Sequence, residues 1–144
     1  MKKTTLTTLG MLLGMTCASM SFAADITVEI LALPSSEGMV MVSLFDRPKG
    51  FPSIITYGQQ IAASRQVAGQ PLRLVFTDLP AGRYAIAAFH DKDGDNKLTT
   101  NLMGIPTEAM GFSNNAKASF GPPSFDSVAV EVSAQGATVK LQLQ

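Results

Sequence analysis

Residues 72–90 read Leu72-Arg73-Leu74-Val75-Phe76-Thr77-Asp78-Leu79-Pro80-Ala81-Gly82-Arg83-Tyr84-Ala85-Ile86-Ala87-Ala88-Phe89-His90. In the first part, Leu72, Leu74 and Phe76 alternate with Arg73 and Thr77, and Val75 is the one break in the pattern. Alternation at period two turns one set of side chains into a core and the other towards water, which describes a half-buried strand. Tyr84 to His90 reads differently. Ala85, Ala87 and Ala88 keep both faces small while Tyr84, Ile86 and Phe89 supply bulk, which suits a central strand crowded on both sides. Between the two, Asp78-Leu79-Pro80-Ala81-Gly82 is a turn, with Pro to fix φ and Gly to accept φ > 0. The turn predicts that Tyr84 is anchored in or beside the core, and that Gly82 holds a backbone geometry that Ala cannot copy.

Working outward, the same period recurs. Ile26, Val28 and Ile30 alternate with Thr27 and Glu29, and Val40, Val42 and Leu44 share one face after Gly38. Val128, Val130 and Val132 form another such run, and Val139, Leu141 and Leu143 the last. Several half-buried strands without a strong long helix predict an all-β, Ig-like antiparallel β-sandwich of about seven strands. Two segments resist the strand reading. Ile54, Tyr57 and Ile61 sit at helical spacing, though Pro52 and Gly58 limit this to a turn or two. Residues 91–124 form one long connection rich in Gly, Pro, Asn and Ser, and a structureless loop of that length means function or disorder.

The chain of 144 residues has 11 basic and 11 acidic residues. That balance excludes nucleic-acid binding through bulk positive charge. With 46% hydrophobic and 15% charged residues, the chain is not a disordered tail. One Cys, one His and no Trp exclude a Cys-built metal site and a disulfide scaffold, and any His-dependent catalysis has to use His90. Lys2 and Lys3, the apolar run Leu6 to Met15, and the small residues of Ser21-Phe22-Ala23 have the order of a secretory signal. The apolar run is too short to span a bilayer, which takes roughly 20 residues. Residues 1–23 are therefore read as a cleaved signal peptide, and 24–144 as a single β-sandwich domain of the periplasm or of the secreted fraction, with no transmembrane segment. Cys17 follows Thr16 and Gly14, the wrong neighbours for a lipid attachment site, so it belongs to the discarded signal. Loss of Lys2 and Lys3 leaves nine basic residues against eleven acidic, a net of −2.

Gly38-Met39-Val40 with Leu44-Phe45, and then Phe76 to Tyr84, are similar to the strand–turn–strand signature of transthyretin-like and carboxypeptidase-regulatory-like sandwiches. A later run is more specific. It comprises His90-Asp91, Asp93-Gly94-Asp95-Asn96-Lys97-Leu98, Gly104-Ile105-Pro106-Thr107-Glu108, Gly111-Phe112-Ser113-Asn114-Asn115 and Gly121-Pro122-Pro123-Ser124-Phe125. Nearly the whole mature chain resembles the secreted bacterial family known as domain of unknown function 2141. The resemblance implies a small extracytoplasmic β-sandwich and implies no activity. Two positions depart from it, Asn96 where the family usually has Gly and Thr99 where it has an acidic residue.

Asp91-Lys92-Asp93-Gly94-Asp95-Asn96-Lys97-Leu98-Thr99 is the strongest chemical signal. Carboxylates at alternate positions converge when the backbone curls around a cation. Calcium takes about six to eight oxygens, and its loops supply them from positions 1, 3, 5, 7, 9 and 12. Counted from Asp91, position 7 is the carbonyl of Lys97 and position 9 the hydroxyl of Thr99. Position 6 is Asn96 rather than Gly, although Asn tolerates the left-handed region better than most residues. Position 12 is Leu102, so the bidentate Glu is missing, and a strand enters where an EF-hand has a helix. The reading is a weak, non-EF calcium loop of Asp91, Asp93, Asp95, Lys97 and Thr99, completed by Glu108 or Asn101. The alternative is a solvated polar turn.

His90 is either a base or metal ligand oriented by Asp91, or a structural imidazole bonded to the backbone of the long loop. The structural role is preferred, because one His without a paired nucleophile specifies no reaction. Ser113 and Ser124 are hydroxyls outside any G-x-S-x-G turn. Asn114 and Asn115 read as turn formers. Phe51, Phe112, Phe120 and Phe125 lie beside Gly or Pro or one residue away. They line a groove for a hydrophobic ligand, a glycan or a partner chain, or more simply cap the open end of the sandwich. The leading expectation is a non-catalytic binding or structural module with Ca²⁺ as stabiliser. Its partner would be a protein or glycan of the cell envelope, with nucleic acid excluded. Two others stand beside it: a metal-assisted hydrolase using His90, Asp91 and Glu108, and an envelope adaptor that docks through a sheet edge.

Overall fold

The computed structural model describes residues 23–144. The signal-peptide reading, Cys17 included, lies outside the described residues except for Ala23. The strands are β1 (Ala23–Ile30), β2 (Met39–Phe45), β3 (Tyr57–Ala62), β4 (Leu72–Pro80), β5 (Gly82–Asp91), β6 (Met110–Phe112), β7 (Val130–Val132) and β8 (Ala137–Leu141), with one helical turn, α1 (Phe125–Val128). One sheet runs β4-β1-β8 and the other β3-β2-β5, with β6 and β7 end to end along the far edge of β5. This is a β-sandwich, with eight strands among the described residues rather than about seven. It is antiparallel throughout except that β8 runs parallel to β1. Among the described residues, no helix is long and apolar enough to cross a membrane.

The period-two runs form the core between the sheets. Ile26, Val28 and Ile30 of β1, Val40 and Leu44 of β2, Ile86 of β5 and Leu141 of β8 are all fully buried there. The β4–β5 turn does more than reverse the chain. It carries the chain from one sheet to the other, since β4 pairs with β1 and β5 with β2. Tyr84 braces this corner. It is 3% exposed and its hydroxyl donates to the carbonyl of Pro80 at 2.7 Å. Burial pushes the phenol of Tyr84 above its ordinary pKa, because the anion would lose its water.

Three expectations need correction here. Gly82 has no left-handed backbone, and a Cβ built on it meets nothing within 4 Å, so it is not the residue that needs glycine. The strained position is Asp78, with φ of 59°, where the β1–β4 register shifts between Ala24 and Ile26. The bulge adds a residue on β4, and the Asp78 amide donates to Asp25 Oδ1 at 3.3 Å. The helical spacing of Ile54, Tyr57 and Ile61 is coincidental, since Tyr57–Ala62 is β3, paired with β2 from Leu44 to Met39. Val128 ends α1 instead of starting a strand, because Ser124 caps that turn through the Ser127 amide.

A second apolar cluster lies on the outer face of the larger sheet. Phe45, Ala85, Phe112, Phe125 and Val128 are buried in it, and Phe51 packs against them. Phe51 meets Phe45, Phe112 and Phe125 edge to face at 5.0–6.2 Å between ring centres. Phe51, Phe112 and Phe125 therefore cover a sheet face rather than the open end of the sandwich, while Phe120 is exposed. The residue 46–56 loop that brings Phe51 there is clasped at its base. Asp46 accepts from the Thr56 hydroxyl at 3.1 Å and from Arg47 at 2.7 and 2.8 Å. The bond from Arg47 pulls the Asp46 carboxyl down from 3.8 to about 2.

Candidate functional site

The acidic run begins where β5 leaves the sheet. Asp91 is its last strand residue and is fully buried. Its Oδ1 accepts from the Gly94 amide at 2.8 Å and its Oδ2 from the Asn96 amide at 2.9 Å. The backbone is curled around this carboxylate, with Gly94 and Asn96 both left-handed at φ of 77° and 61°. Asn96 thus does what a glycine does at that position of a calcium loop. Asp93 accepts from the Asp95 amide at 3.2 Å, and Asp95 from the Lys97 amide at 2.7 Å. The Thr99 hydroxyl reaches Asp93 Oδ2 at 3.5 Å. One carboxylate oxygen from each of Asp91, Asp93 and Asp95 lies within 4.8 Å of the others. An ionised carboxylate offers about four lone-pair sites, so one amide per oxygen leaves acceptor capacity on each.

Glu108 returns to this loop from the far end of the long connection. Its Oε1 accepts from the Lys92 amide and its Oε2 from the Thr99 amide, both at 3.0 Å. It therefore ties the loop's two ends together, and it stands outside the group of three converging carboxylates. Asn101 is used elsewhere. Its Oδ1 accepts from the amides of Met103 and Ile105 at 2.9 and 3.0 Å, which turns the tip of a small hairpin. That hairpin is closed by the Thr100–Pro106 bridge and by the Thr107 amide on the Thr99 carbonyl. The 91–124 connection is thus not structureless. It is an acidic loop, a hairpin, strand β6 and the turn Ser113–Asn115 in succession.

His90 is buried, on the same strand face as Ile86 and Ala88 by parity. Its Nε2 lies 2.6 Å from the carbonyl of Glu37. A carbonyl only accepts, so Nε2 carries the hydrogen. The imidazole is structural, but it holds the β1–β2 connection rather than the long loop. That connection passes so close that a Cβ on Gly38 would collide with the Asp91 carbonyl, and Gly38 is left-handed at φ of 72°. Ser113 is buried in the gap between β6 and β7. It accepts from the Ile86 amide at 3.0 Å and donates to the Val128 carbonyl. Asn114, left-handed at φ of 59°, donates to the carbonyls of Ser127 and Ala129.

Residues 28–140 match the family described as an uncharacterised protein conserved in bacteria, DUF2141. The chain belongs to the DUF2141 family. No curated protein and no solved structure matches it. The DUF2141 match runs from inside β1 almost to the end of β8 and takes in the whole acidic loop. It gives no support to the transthyretin-like part of the resemblance.

The groove reading has a counterpart in this DUF2141 chain, lined by Phe112 and Phe120 but not by Phe51 or Phe125, and its floor was missed in the sequence. A cleft of about 850 Å³ opens on the outer face of the larger sheet, beside the acidic loop. Its floor includes Ser43 and Ala87, which are cross-strand partners in β2 and β5. Phe45, Phe89 and Phe112 rise around them. Two small side chains facing each other between large ones leave the volume open. The signal was present as Ser43 at the centre of an apolar run and as Met103, Ile105 and Phe120 in an otherwise polar connection.

Proposed function

We propose that this DUF2141 protein is an exported, non-catalytic binding module whose 91–99 loop closes on Ca²⁺. The observation that carries this reading is the convergence of the Asp91, Asp93 and Asp95 carboxylates within 4.8 Å on a curled backbone. Three like charges at that separation repel one another, and a divalent cation removes the repulsion. The Lys97 carbonyl and the Thr99 hydroxyl supply further oxygens, in the order that calcium loops use. Glu108 stands outside this group and supports it by tying the two ends of the loop together. Ca²⁺ suits such a site better than Mg²⁺, because it accepts many oxygens with loose geometry while Mg²⁺ demands a tight octahedron. Without a bidentate Glu at position 12, the dissociation constant falls in the weak extracellular range of about 10⁻⁴–10⁻³ M.

Hydrolysis by His90, Asp91 and Glu108 has less support. The imidazole is buried with its Nε2 on the Glu37 carbonyl, and Glu108 stands outside the converging carboxylates. Calorimetric titration with Ca²⁺ and with Mg²⁺, on the wild type and on Asp93→Ala, tests the proposal. Saturable heat with Ca²⁺ that weakens for Mg²⁺ and vanishes in Asp93→Ala is expected. Heat that survives Asp93→Ala would put the ion elsewhere, and no heat at all would leave the run a solvated turn. Glu108→Gln separates ligation from positioning, since an amide oxygen still accepts but brings no charge.

A further inference from the structure

We propose that the outer-face cleft binds a single-chain amphiphile with an anionic head, its acyl tail lying over Ser43 and Ala87 and its head at Lys117. The volume of about 850 Å³ falls within the roughly 300–1,000 Å³ typical of small-molecule sites. The lining has no charged residue, and Ser43 and Thr100 are its only polar side chains. A glycan buried there would leave most of its hydroxyls unpaired, and a charged group would lose its water without a partner. A hydrocarbon chain loses nothing, and Met103 and Met110 on the walls are side chains that adapt their shape to such a guest.

The rim points the same way. Phe120 is 113% exposed, Leu102 108% and Met103 83%, although Phe120 and Met103 line the cleft. Large apolar side chains held at the mouth of an apolar cleft present surface that a hydrophobic occupant would cover. Charge selects the head group. A smaller cavity of about 260 Å³ shares Pro106, Met110, Phe112 and Ala118 with the cleft and has Lys117 on its wall. Among the described residues Lys117 has no ion-pair partner. Glu108 also borders this cavity, but both its oxygens are turned to the amides of Lys92 and Thr99. Lys117 is exposed and precedes Ala118, which lines both cavities, so it is the one cation among the residues lining the two. The inference does not rest on the calcium loop, which contributes only Leu98 to the cleft wall.

The test is calorimetric titration of the mature protein in chelator buffer with dodecanoate below its micellar concentration, and with dodecyltrimethylammonium. One saturable site for dodecanoate is expected. Ala87→Leu fills the floor and should weaken it about tenfold with the melting temperature retained. Should that variant fail to fold, Phe120→Ser on the rim is expected to weaken binding in the same direction. Lys117→Glu should weaken dodecanoate and strengthen dodecyltrimethylammonium. Absence of saturable binding to the wild type would overturn the proposal, and so would equal affinity in the wild type and the cleft variants. Failure to discriminate the two head groups would overturn the role of Lys117. Because calcium is chelated throughout, none of these results depends on whether the acidic loop binds an ion.

Discussion

The two faces of β5 carry the same strand into two different environments. On the inner face, Tyr84, Ile86 and Ala88 meet β1, β4 and β8 in a core from which solvent is excluded. On the outer face, Ala85 is sealed under Phe45, Phe125 and Val128, but Ala87 and Phe89 two and four residues later border an open cleft. The difference comes from what lies on top. Inside, a whole sheet covers the strand. Outside, one helical turn and two connections cover only part of it, and the cover is held by polar clasps. Residues 46–56 are held by Asp46, Ser113–Asn115 by Ser113 and Asn114, and residues 91–107 by Asp91, Asn101 and Glu108. A face packed by a sheet is a stability element, while a face covered by clasped loops has room for a ligand.

If the faces differ in this way, mutations on them should differ in cost. Tyr84→Ala, on the inner face, removes a buried aromatic and the Pro80 hydrogen bond, and should destabilise by about 3–5 kcal/mol in denaturant melts. A loss under about 1 kcal/mol would place the corner outside the cooperative core. Ser113→Ala, under the outer cover, leaves the Ile86 amide and the Val128 carbonyl without their partner. It should cost about 1–3 kcal/mol, and a neutral result would mean that the outer cover opens at little cost.

The Asp46 clasp is a smaller, pH-dependent contribution. Its folded-state carboxyl is held at about 2 against an ordinary 3.8. Its stabilisation is therefore complete above the ordinary value and is lost as pH falls through the folded one. An acid melt between these two values should show the loss in the wild type and not in Asp46→Asn. Identical profiles would remove the clasp from the account. Least affected should be Gly82→Ala and Phe120→Ser, each within about 0.5 kcal/mol. A large cost for Phe120→Ser would mean that this ring packs against the fold instead of facing solvent.

The inner face was the legible one. Ile26, Val28, Ile30, Val40 and Leu44 alternate cleanly because a sheet with one wet face imposes period two on its residues. Tyr84 was legible for the same reason, as bulk next to a turn. Gly82 misled, because the turn's left-handed residue is Asp78, and a bulge depends on register between distant strands rather than on local composition. The outer face was harder. Ser43 and Ala87 lie 44 positions apart in the chain and meet only through the β2–β5 pairing. The convergence of Asp91, Asp93 and Asp95 was legible, since their spacing is local. The return of Glu108 to the loop was legible only as an option, because it depends on a hairpin that brings residue 108 back to residue 92.

The most direct test of the proposal that Ca²⁺ closes the 91–99 loop is amide hydrogen exchange in millimolar Ca²⁺, in Mg²⁺ and in chelator. Ca²⁺ is expected to slow the amides of Gly94, Asn96, Lys97 and Thr99, all of which donate to carboxylates of the loop or of Glu108. Amides of β1, in the sheet that backs the inner core, should change only through global stability, by at most about 2.7 kcal/mol at 100 times the dissociation constant. Slowing of the loop amides by Ca²⁺ alone, beyond any change in β1, is the predicted result. Equal exchange of those four amides in all three buffers would contradict the account.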